Sequence, residues 1–129
     1  KGIEGLLGED NDILRPVPFM RPWGSVQELG NIYEIRTYTV KSGSIPDMID
    51  RWGEVIDHRE KYSPLAACWY SELGVMLKWI HVWPYANLDE RTRVRAEVAK
   101  DPHWPPATQE SIVRQESRIV IPAPFSTMR

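Results

Sequence analysis

The order of strand-like and helix-like segments constrains the fold of this chain more than any other feature of its sequence. The run IYEIRTYTV, which starts at Ile32, is rich in β-branched and aromatic residues and predicts a strand that ends at the turn residues KSGS. Apolar residues then recur at spacings of three and four from Ile45 to Tyr62, with Pro46 in the first turn. This pattern predicts an amphipathic helix that ends near Ser63.

Two further strands, a second helix and a closing strand follow. The runs LAACWYSE and VMLKWIHVWPY, separated by Leu73 and Gly74, predict a hairpin. Asn87 precedes LDERTRVRAEVAK with Glu90 three residues on, which is typical of a helix start. After two proline-containing breaks, QESRIVIPAPF predicts a last strand that loses its backbone donor at Pro122. The order β-α-β-β-α-β is the ferredoxin-like arrangement, so we predict an α+β fold with helices on one face of an antiparallel sheet.

Composition excludes several classes of protein. The hydrophobic fraction is 42% and the charged fraction 26%, as in ordinary globular domains. Sixteen basic and eighteen acidic residues are scattered along the chain, which argues against nucleic acid as a partner. The single cysteine, Cys68, lies in an apolar run and predicts a buried thiol in a reducing compartment. No apolar run approaches the roughly 18 residues of a membrane span. We therefore predict a soluble protein that is cytoplasmic, or mitochondrial if its source is eukaryotic.

Three segments in the predicted order resemble domains of the NIPSNAP family. YEIRTYTVKSG resembles their opening strand, ELGVMLKWIHVWPYANLDERTRVR their central hairpin and second helix, and QESRIVIPAPFS their closing strand. The resemblance spans nearly all of Ile32–Arg129. It implies a ferredoxin-like sheet that packs face to face on a second copy, giving a dimeric α+β barrel and thus a homodimer or larger homo-oligomer. Animal members of the family are associated with mitochondria and with recruitment of autophagy proteins, and no reaction is established for the family.

The first 31 residues are predicted to be an extension, and residues 32–129 the domain. Gly2–Asn31 is rich in glycine, proline and acidic residues. Within it, Ile13–Phe19 echoes Ile119–Phe125, with the two phenylalanines 125 − 19 = 106 residues apart, about one domain length. We interpret the first copy as the tail of a preceding repeat, the alternative being two proline-rich edge segments of similar composition. From the repeat interpretation we expect Asp12–Phe19 to add to a sheet edge, in its own chain or a partner's, or to lie as an extended arm against the barrel, the alternative being a dispensable disordered leader.

The predicted strands carry an unusually polar and aromatic set of side chains. Because side chains alternate along a strand, Glu34, Arg36 and Tyr38 share one face. If Ile35 and its neighbours cover the helices, this polar face points between two packed sheets. The candidate cavity residues on the two strands are Glu34, Arg36, Tyr38, His81, Trp83 and Tyr85. One interpretation is a cavity that holds a small aromatic or anionic ligand. Its border is formed by Arg36, Tyr38, His81 and Trp83. The alternative, which we favour from sequence, is that Glu34 and Arg36 pair with each other or with a partner subunit and His81 is a core residue.

The remaining candidates are weaker. His58 is expected on the polar side of the first helix and His103 in a proline-rich break, and neither has metal-ligand spacing, so no metal site is predicted. The basic residues Arg91, Arg93 and Arg95 are interpreted as a solvated helix face with ion pairs along the helix.

No catalytic motif is present, and the catalytic residues are unknown. We predict a binding or adaptor module without a cofactor. The alternative, raised by the similarity to small monooxygenases and haem-degrading enzymes, is a small oxygenase or a haem- or aromatic-ligand-binding enzyme that uses the barrel cavity, with Arg36, Tyr38 and His81 as its polar groups.

Overall fold

A computed structural model describes residues 5, 7–22 and 26–128 of the chain. The predictions made for residues 1–4, 6, 23–25 and 129 lie outside the described residues. In chain order the elements are β1 (Ile13–Pro16), β2 (Ile32–Val40), α1 (Ile45–Glu60), β3 (Ala67–Leu73), β4 (Lys78–Tyr85), α2 (Leu88–Val98), a short 3-10 turn (Gln109–Ser111) and β5 (Ile112–Val120).

The named strands form one sheet in the order β1-β3-β4-β2-β5, and every neighbouring pair is antiparallel. The predicted β-α-β-β-α-β order is confirmed, with β1 added outside it. Several boundaries differ from the prediction: β3 begins at Ala67 rather than Leu65, and β5 spans Ile112–Val120 rather than Gln115–Phe125. Helix α1 ends at Glu60, before Ser63. Strand β4 begins at Lys78 rather than Val75, because Gly74 and Leu77 take positive φ angles of 94° and 64° that turn the chain out of the strand.

Strand β1 occupies the sheet edge beside β3. Its neighbour Asp12 fixes it there, since the Asp12 carboxylate accepts hydrogen bonds from the backbone N–H of Val75 (2.8 Å) and from Lys78 Nζ (2.6 Å). A Cβ on Gly74 would lie 2.4 Å from Asp12 Oδ1, so this close approach requires glycine. Of the arrangements expected for Asp12–Phe19, the structure therefore shows an edge strand in the chain's own sheet. Its origin as the tail of a preceding repeat stays a prediction.

Both helices pack on the same face of the sheet. Met48 and Trp52 of α1 and Val94 of α2 are buried in one cluster with Tyr38 and Trp79 of the central strands. Asn87 is the N-cap of helix α2, and its side-chain oxygen accepts the Glu90 N–H at 2.8 Å. The helices thus cover the face formed by the even-numbered residues of β2 and the odd-numbered residues of β4.

This arrangement reverses one expectation from the sequence. The Glu34/Arg36/Tyr38 face lies under the helices, whereas Ile35 belongs to a second apolar cluster on the opposite face with Tyr33. Segments before β2 and after β5 cover part of that opposite face. Period-two alternation determines which residues share a face, but it does not determine which face the helices cover.

Candidate functional site

A pocket of about 270 Å³ lies on the helix-covered face of the sheet, between the central strands and α2. Arg36 and Tyr38 of β2 and His81 and Trp83 of β4 form its floor. The antiparallel register places Arg36 directly opposite His81, which is why residues 45 positions apart in sequence meet here. The remaining walls come from α1, α2, the loop after α2 and β5, through Arg59, Arg95, Val98, Trp104, Ile112 and Gln115.

His81 is a neutral hydrogen-bond donor in this pocket. The indole Nε1–H of Trp83 donates to His81 Nδ1 at 2.6 Å. An indole nitrogen can only donate, so Nδ1 accepts and the proton of the neutral imidazole sits on Nε2. Nε2 is buried and has no hydrogen-bond partner among the described residues. Burial, reinforced by the nearby cations Arg36, Arg59 and Arg95, lowers the pKa of His81 well below 6.5, so the ring stays neutral at physiological pH.

The most deeply buried cation of the pocket, Arg59, has no carboxylate partner in the described structure. This residue is 4% exposed, and its guanidinium donates to the Ser63 carbonyl (3.3 Å) and the Tyr85 hydroxyl (3.2 Å). The guanidinium carbon also lies 4.0 Å from the centre of the Trp83 ring, within cation–π distance. Burial lowers the pKa of Arg59 from its ordinary value. Its positive charge is therefore held by neutral dipoles and an aromatic ring.

Arg36 and Arg95 add two further cationic side chains to the lining. Arg36 Nη2 donates to the neutral Gln115 side chain at 3.1 Å, and its buried Nε has no partner in the part of the chain that the structure describes. Arg95 Nη1 lies 3.6 Å from Glu34 Oε2, a long contact for an ion pair. No acidic residue is among the described residues that line the pocket. The pocket is thus cationic and bounded by aromatic rings.

Glu34 lies outside the pocket lining and is neutralised by helix α2. The Glu34 carboxylate is 1% exposed and accepts two hydrogen bonds from Arg91, at 2.7 and 3.0 Å, and one from Ser117 Oγ at 2.6 Å. Burial raises the pKa of Glu34, but the bonds from Arg91 and Ser117 and the nearby Arg95 outweigh it, so the pKa lies below its ordinary value. The predicted pairing of Glu34 with Arg36 is wrong, because the helix supplies a closer guanidinium.

The interpretation of the three arginines as a solvated face with ion pairs along the helix is wrong for Arg91 and Arg95, which both approach Glu34 of β2. Only Arg93, with a side chain 67% exposed, fits it. Arg91 lies three residues before Val94 and Arg95 three residues before Val98, the buried residues of α2, so the helical period places all four on one face. In α1, Arg59 likewise continues the buried series Met48, Trp52 and Ile56. Helical spacing was the sequence signal for these arginines.

Of the six residues proposed from sequence, the structure brings Arg36, Tyr38, His81 and Trp83 together around one pocket. Glu34 and Tyr85 lie behind it and hold Arg91 and Arg59, respectively. A ligand role for the four lining residues stays a prediction.

The pocket does not fit haem ligation by His81. An imidazole that binds iron through Nε2 needs a free lone pair on that atom, and the Trp83 hydrogen bond to Nδ1 places the proton there instead. Ligating histidines in proteins usually donate from their second nitrogen, whereas His81 accepts. A volume of about 270 Å³ also suits a small molecule rather than a macrocycle.

The chain is thus a ferredoxin-like α+β domain with a cationic pocket of a size that suits a small molecule. The NIPSNAP family model matches residues 33–127, and the chain belongs to this family. Among its relatives, the protein NipSnap homolog of Dictyostelium discoideum is 29% identical over 111 residues, which are 78% of this chain and 50% of that protein. The human protein NipSnap homolog 3B is 30% identical over 113 residues, covering 81% of this chain and 44% of that protein.

Solved structures show the same fold. A NIPSNAP family protein with unknown function from Agrobacterium tumefaciens is 33% identical, with a TM-score of 0.70 over 74% of this chain and 90% of that one. An uncharacterized NIPSNAP domain protein from Burkholderia xenovorans is 26% identical, with a TM-score of 0.68 over 74% of this chain and 97% of that one. The chain thus spans about half or less of the curated relatives but nearly all of these bacterial proteins. None of the described helices has the length and apolar character to cross a membrane.

Proposed function

We propose that this NIPSNAP domain binds a small organic carboxylate with an apolar or aromatic body in the pocket under α2. The observation that carries this proposal is the buried guanidinium of Arg59, which is 4% exposed and has no carboxylate partner in the described structure. A buried charge that lacks an opposite charge is costly, and that cost is offset when a ligand supplies the missing anion.

The pocket offers an anion more than one kind of donor. Arg36 and Arg95 add guanidinium groups, whose planar donors match the two oxygens of a carboxylate. The His81 ring adds an Nε2–H that no described residue accepts. Because the imidazole of His81 is neutral, it can donate a hydrogen bond to an anion without adding another buried positive charge.

The other walls specify the body of the ligand. Trp83, Trp104, Val98 and Ile112 present indole and aliphatic surface to the pocket. Apolar walls with a few convergent polar groups are typical of small-molecule sites. With a volume of about 270 Å³, the pocket suits a ligand of about the size of a single-ring acid.

Binding is favoured over oxygenase or proton-transfer chemistry. A general base needs an available lone pair near the reacting proton, and the only lone pair of neutral His81 accepts from Trp83. The lowered pKa of His81 further weakens it as a base at neutral pH. The oxygenase alternative rests on similarity of fold, which does not define an activity.

The test is calorimetric titration with benzoate, phenylacetate and indole-3-acetate, each beside its neutral amide. We expect saturable binding of at least one carboxylate and at least about tenfold weaker binding of its amide, since one charged hydrogen bond contributes about 1.5–3 kcal/mol. Arg95→Gln should weaken binding, whereas Arg93→Gln, on the same helix and exposed, should not. Equal binding of acid and amide, or no binding by any of the acids, would contradict the proposal.

We also propose that the sheet face opposite the helices packs on a second copy of the chain. Ile35, Trp69 and Ile80 on that face are only half-buried in a single chain, which supports a partner there. Sedimentation at low micromolar concentration is expected to show a dimer or larger, and a clean monomer would exclude the intermolecular barrel. Because the pocket lies on the other face, Ile80→Lys should weaken assembly but leave ligand binding unchanged.

A further inference from the structure

Two histidines that are distant in sequence lie side by side, away from the pocket. His58 belongs to the last turn of α1, and His103 to the loop after α2. Their ring centroids are 4.1 Å apart with an angle of 15° between the planes, so the imidazoles are stacked. The carboxylate of Asp101 completes the cluster, and one ligand atom from each of the three residues lies within 4.8 Å of the others.

The carboxylate of this cluster is held in place by its neighbours. Asp101 Oδ1 accepts the His103 backbone N–H at 2.9 Å and faces the His103 Nδ1 at 3.2 Å, while Oδ2 accepts the Tyr62 hydroxyl at 3.2 Å. Its side chain is 8% exposed, whereas that of His103 is 58% exposed. The cluster therefore combines a fixed carboxylate with an imidazole that solvent reaches.

We propose that His58, Asp101 and His103 form a binding site for a divalent transition-metal ion of the zinc type. Two imidazoles and one carboxylate are donors that suit zinc and its neighbours, whereas magnesium and calcium prefer oxygen donors throughout. Nδ1 of His103 lies 3.2 Å from Asp101 Oδ1, close to the separation of two ligands of one metal ion, so the tautomer with its proton on Nε2 offers the Nδ1 lone pair to a metal. The carboxylate has further lone pairs that can serve as the third donor.

The spacing requires only a small adjustment. Metal–ligand distances of about 2.0–2.1 Å in tetrahedral geometry place ligand atoms about 3.4 Å apart. The three ligand atoms, at most 4.8 Å apart, must therefore approach by up to about 1.4 Å. Rotation of the exposed His103 ring can supply this movement. Three protein ligands would leave a fourth position for water, as in zinc sites that are open to solvent.

The proposed ion would connect α1 to the loop that forms one wall of the pocket. His58 immediately precedes Arg59, and His103 immediately precedes Trp104, and both of these neighbours line the pocket. The indole of Trp104 is thus a reporter one residue from the site. The metal proposal stands on the cluster alone and does not require that the pocket binds a carboxylate.

The test uses the chain without a polyhistidine tag and freed of metal by a chelator that is then removed. Co²⁺ is added while visible absorbance and tryptophan fluorescence are recorded, and Zn²⁺ is then added as a competitor. We expect saturation at one ion per chain and displacement of Co²⁺ by Zn²⁺. His58→Gln and His103→Gln should each weaken binding at least about tenfold. Asp57→Asn, at an exposed carboxylate beside His58, is the matched control and should bind as the unaltered chain does.

The absence of any saturable Co²⁺ signal would overturn the proposal. So would equal binding by His103→Gln and the unaltered chain, since the metal would then lie elsewhere. His103 is more than half exposed, so this variant is expected to keep the fold, which its melting temperature without metal checks. A rise in the melting temperature of the unaltered chain with Zn²⁺, missing in His103→Gln, is the independent second measurement.

Discussion

The helix-covered face of the sheet has two ends that differ in whether a buried charged side chain is paired with an opposite charge. At one end, Glu34 is surrounded by donors, with two hydrogen bonds from Arg91 and one from Ser117. At the other end, Arg36 and Arg59 lie beside His81 with neutral partners. Both ends are polar and both lie under helices. The first is a completed ion pair that joins α2 to β2, while the second lacks an anion within the described structure.

This difference separates a structural role from a binding role. A buried ion pair with its hydrogen bonds satisfied holds two elements in register, and removing one partner is costly because the other charge stays buried. When a buried cation has no anionic partner, replacing it by a neutral residue breaks no ion pair and strands no opposite charge. Substitutions at the two ends should therefore have different consequences, and four experiments test the comparison.

The largest effect is expected at the Glu34 end. Arg91→Met removes both short hydrogen bonds to a carboxylate that is 1% exposed and should lower the free energy of unfolding by about 3 kcal/mol. Arg93→Met, two residues away and exposed, should change it by less than about 0.5 kcal/mol. Urea denaturation of the two variants measures the difference. Equal stability of the two would show that Arg95 replaces Arg91 fully.

The second effect is a pH dependence from His81. Its folded-state pKa lies well below 6.5, because of burial and the nearby Arg36, Arg59 and Arg95, so below pH 6.5 the unfolded chain binds a proton that the folded chain does not. Stability from this group is complete above pH 6.5 and falls below it, by up to about 1.4 kcal/mol per pH unit.

His81→Asn provides the matched comparison, because an amide oxygen can accept from Trp83 but does not titrate. Denaturation from pH 7 to pH 5 should show a shallower loss of stability in this variant. Glu34 titrates below this range, since its pKa is lower than 4.5. Parallel curves for the two proteins would show that His81 is protonated in the folded state as readily as in the unfolded chain.

A smaller effect on stability is expected from Arg59→Met, despite the burial of Arg59. Methionine fills similar apolar volume and removes a charge without a carboxylate partner, while the Ser63 carbonyl and Tyr85 hydroxyl lose a donor. The net change should be within about 1.5 kcal/mol. If a thermal melt showed that the free energy of unfolding falls by 3 kcal/mol or more, Arg59 would have a structural role like that of Arg91.

The smallest effect on stability is expected from Arg36→Gln, since Arg36 is half-buried and bonded to the neutral Gln115. We expect less than about 1 kcal/mol in denaturation. Carboxylate binding measured by calorimetry should nevertheless weaken. A Glu34–Arg36 pair, as first expected from the sequence, would have made this substitution cost about 3–5 kcal/mol. An effect of that size would show that Arg36 has a structural role despite its neutral partner.

Much of the site could be predicted from local pattern. The alternation of β2 and β4 correctly groups Arg36 with Tyr38 and His81 with Trp83, and antiparallel pairing then brings the two groups together. The helical period also places Arg95 on the buried face of α2 beside Val98, although its basic neighbours obscure this signal. These relations are encoded locally because side-chain direction repeats with a fixed period in each kind of element.

The sequence by itself determined the order of elements, the membership of each strand face and the family of the chain. Only the tertiary structure decided that the helices cover the polar face, that Glu34 pairs with Arg91, and that His58 approaches His103. The physical reason is that periodicity assigns side chains to faces, whereas the partner of each face depends on how separate elements pack. Packing brings together residues far apart in the chain, and their spacing in sequence carries no record of that contact.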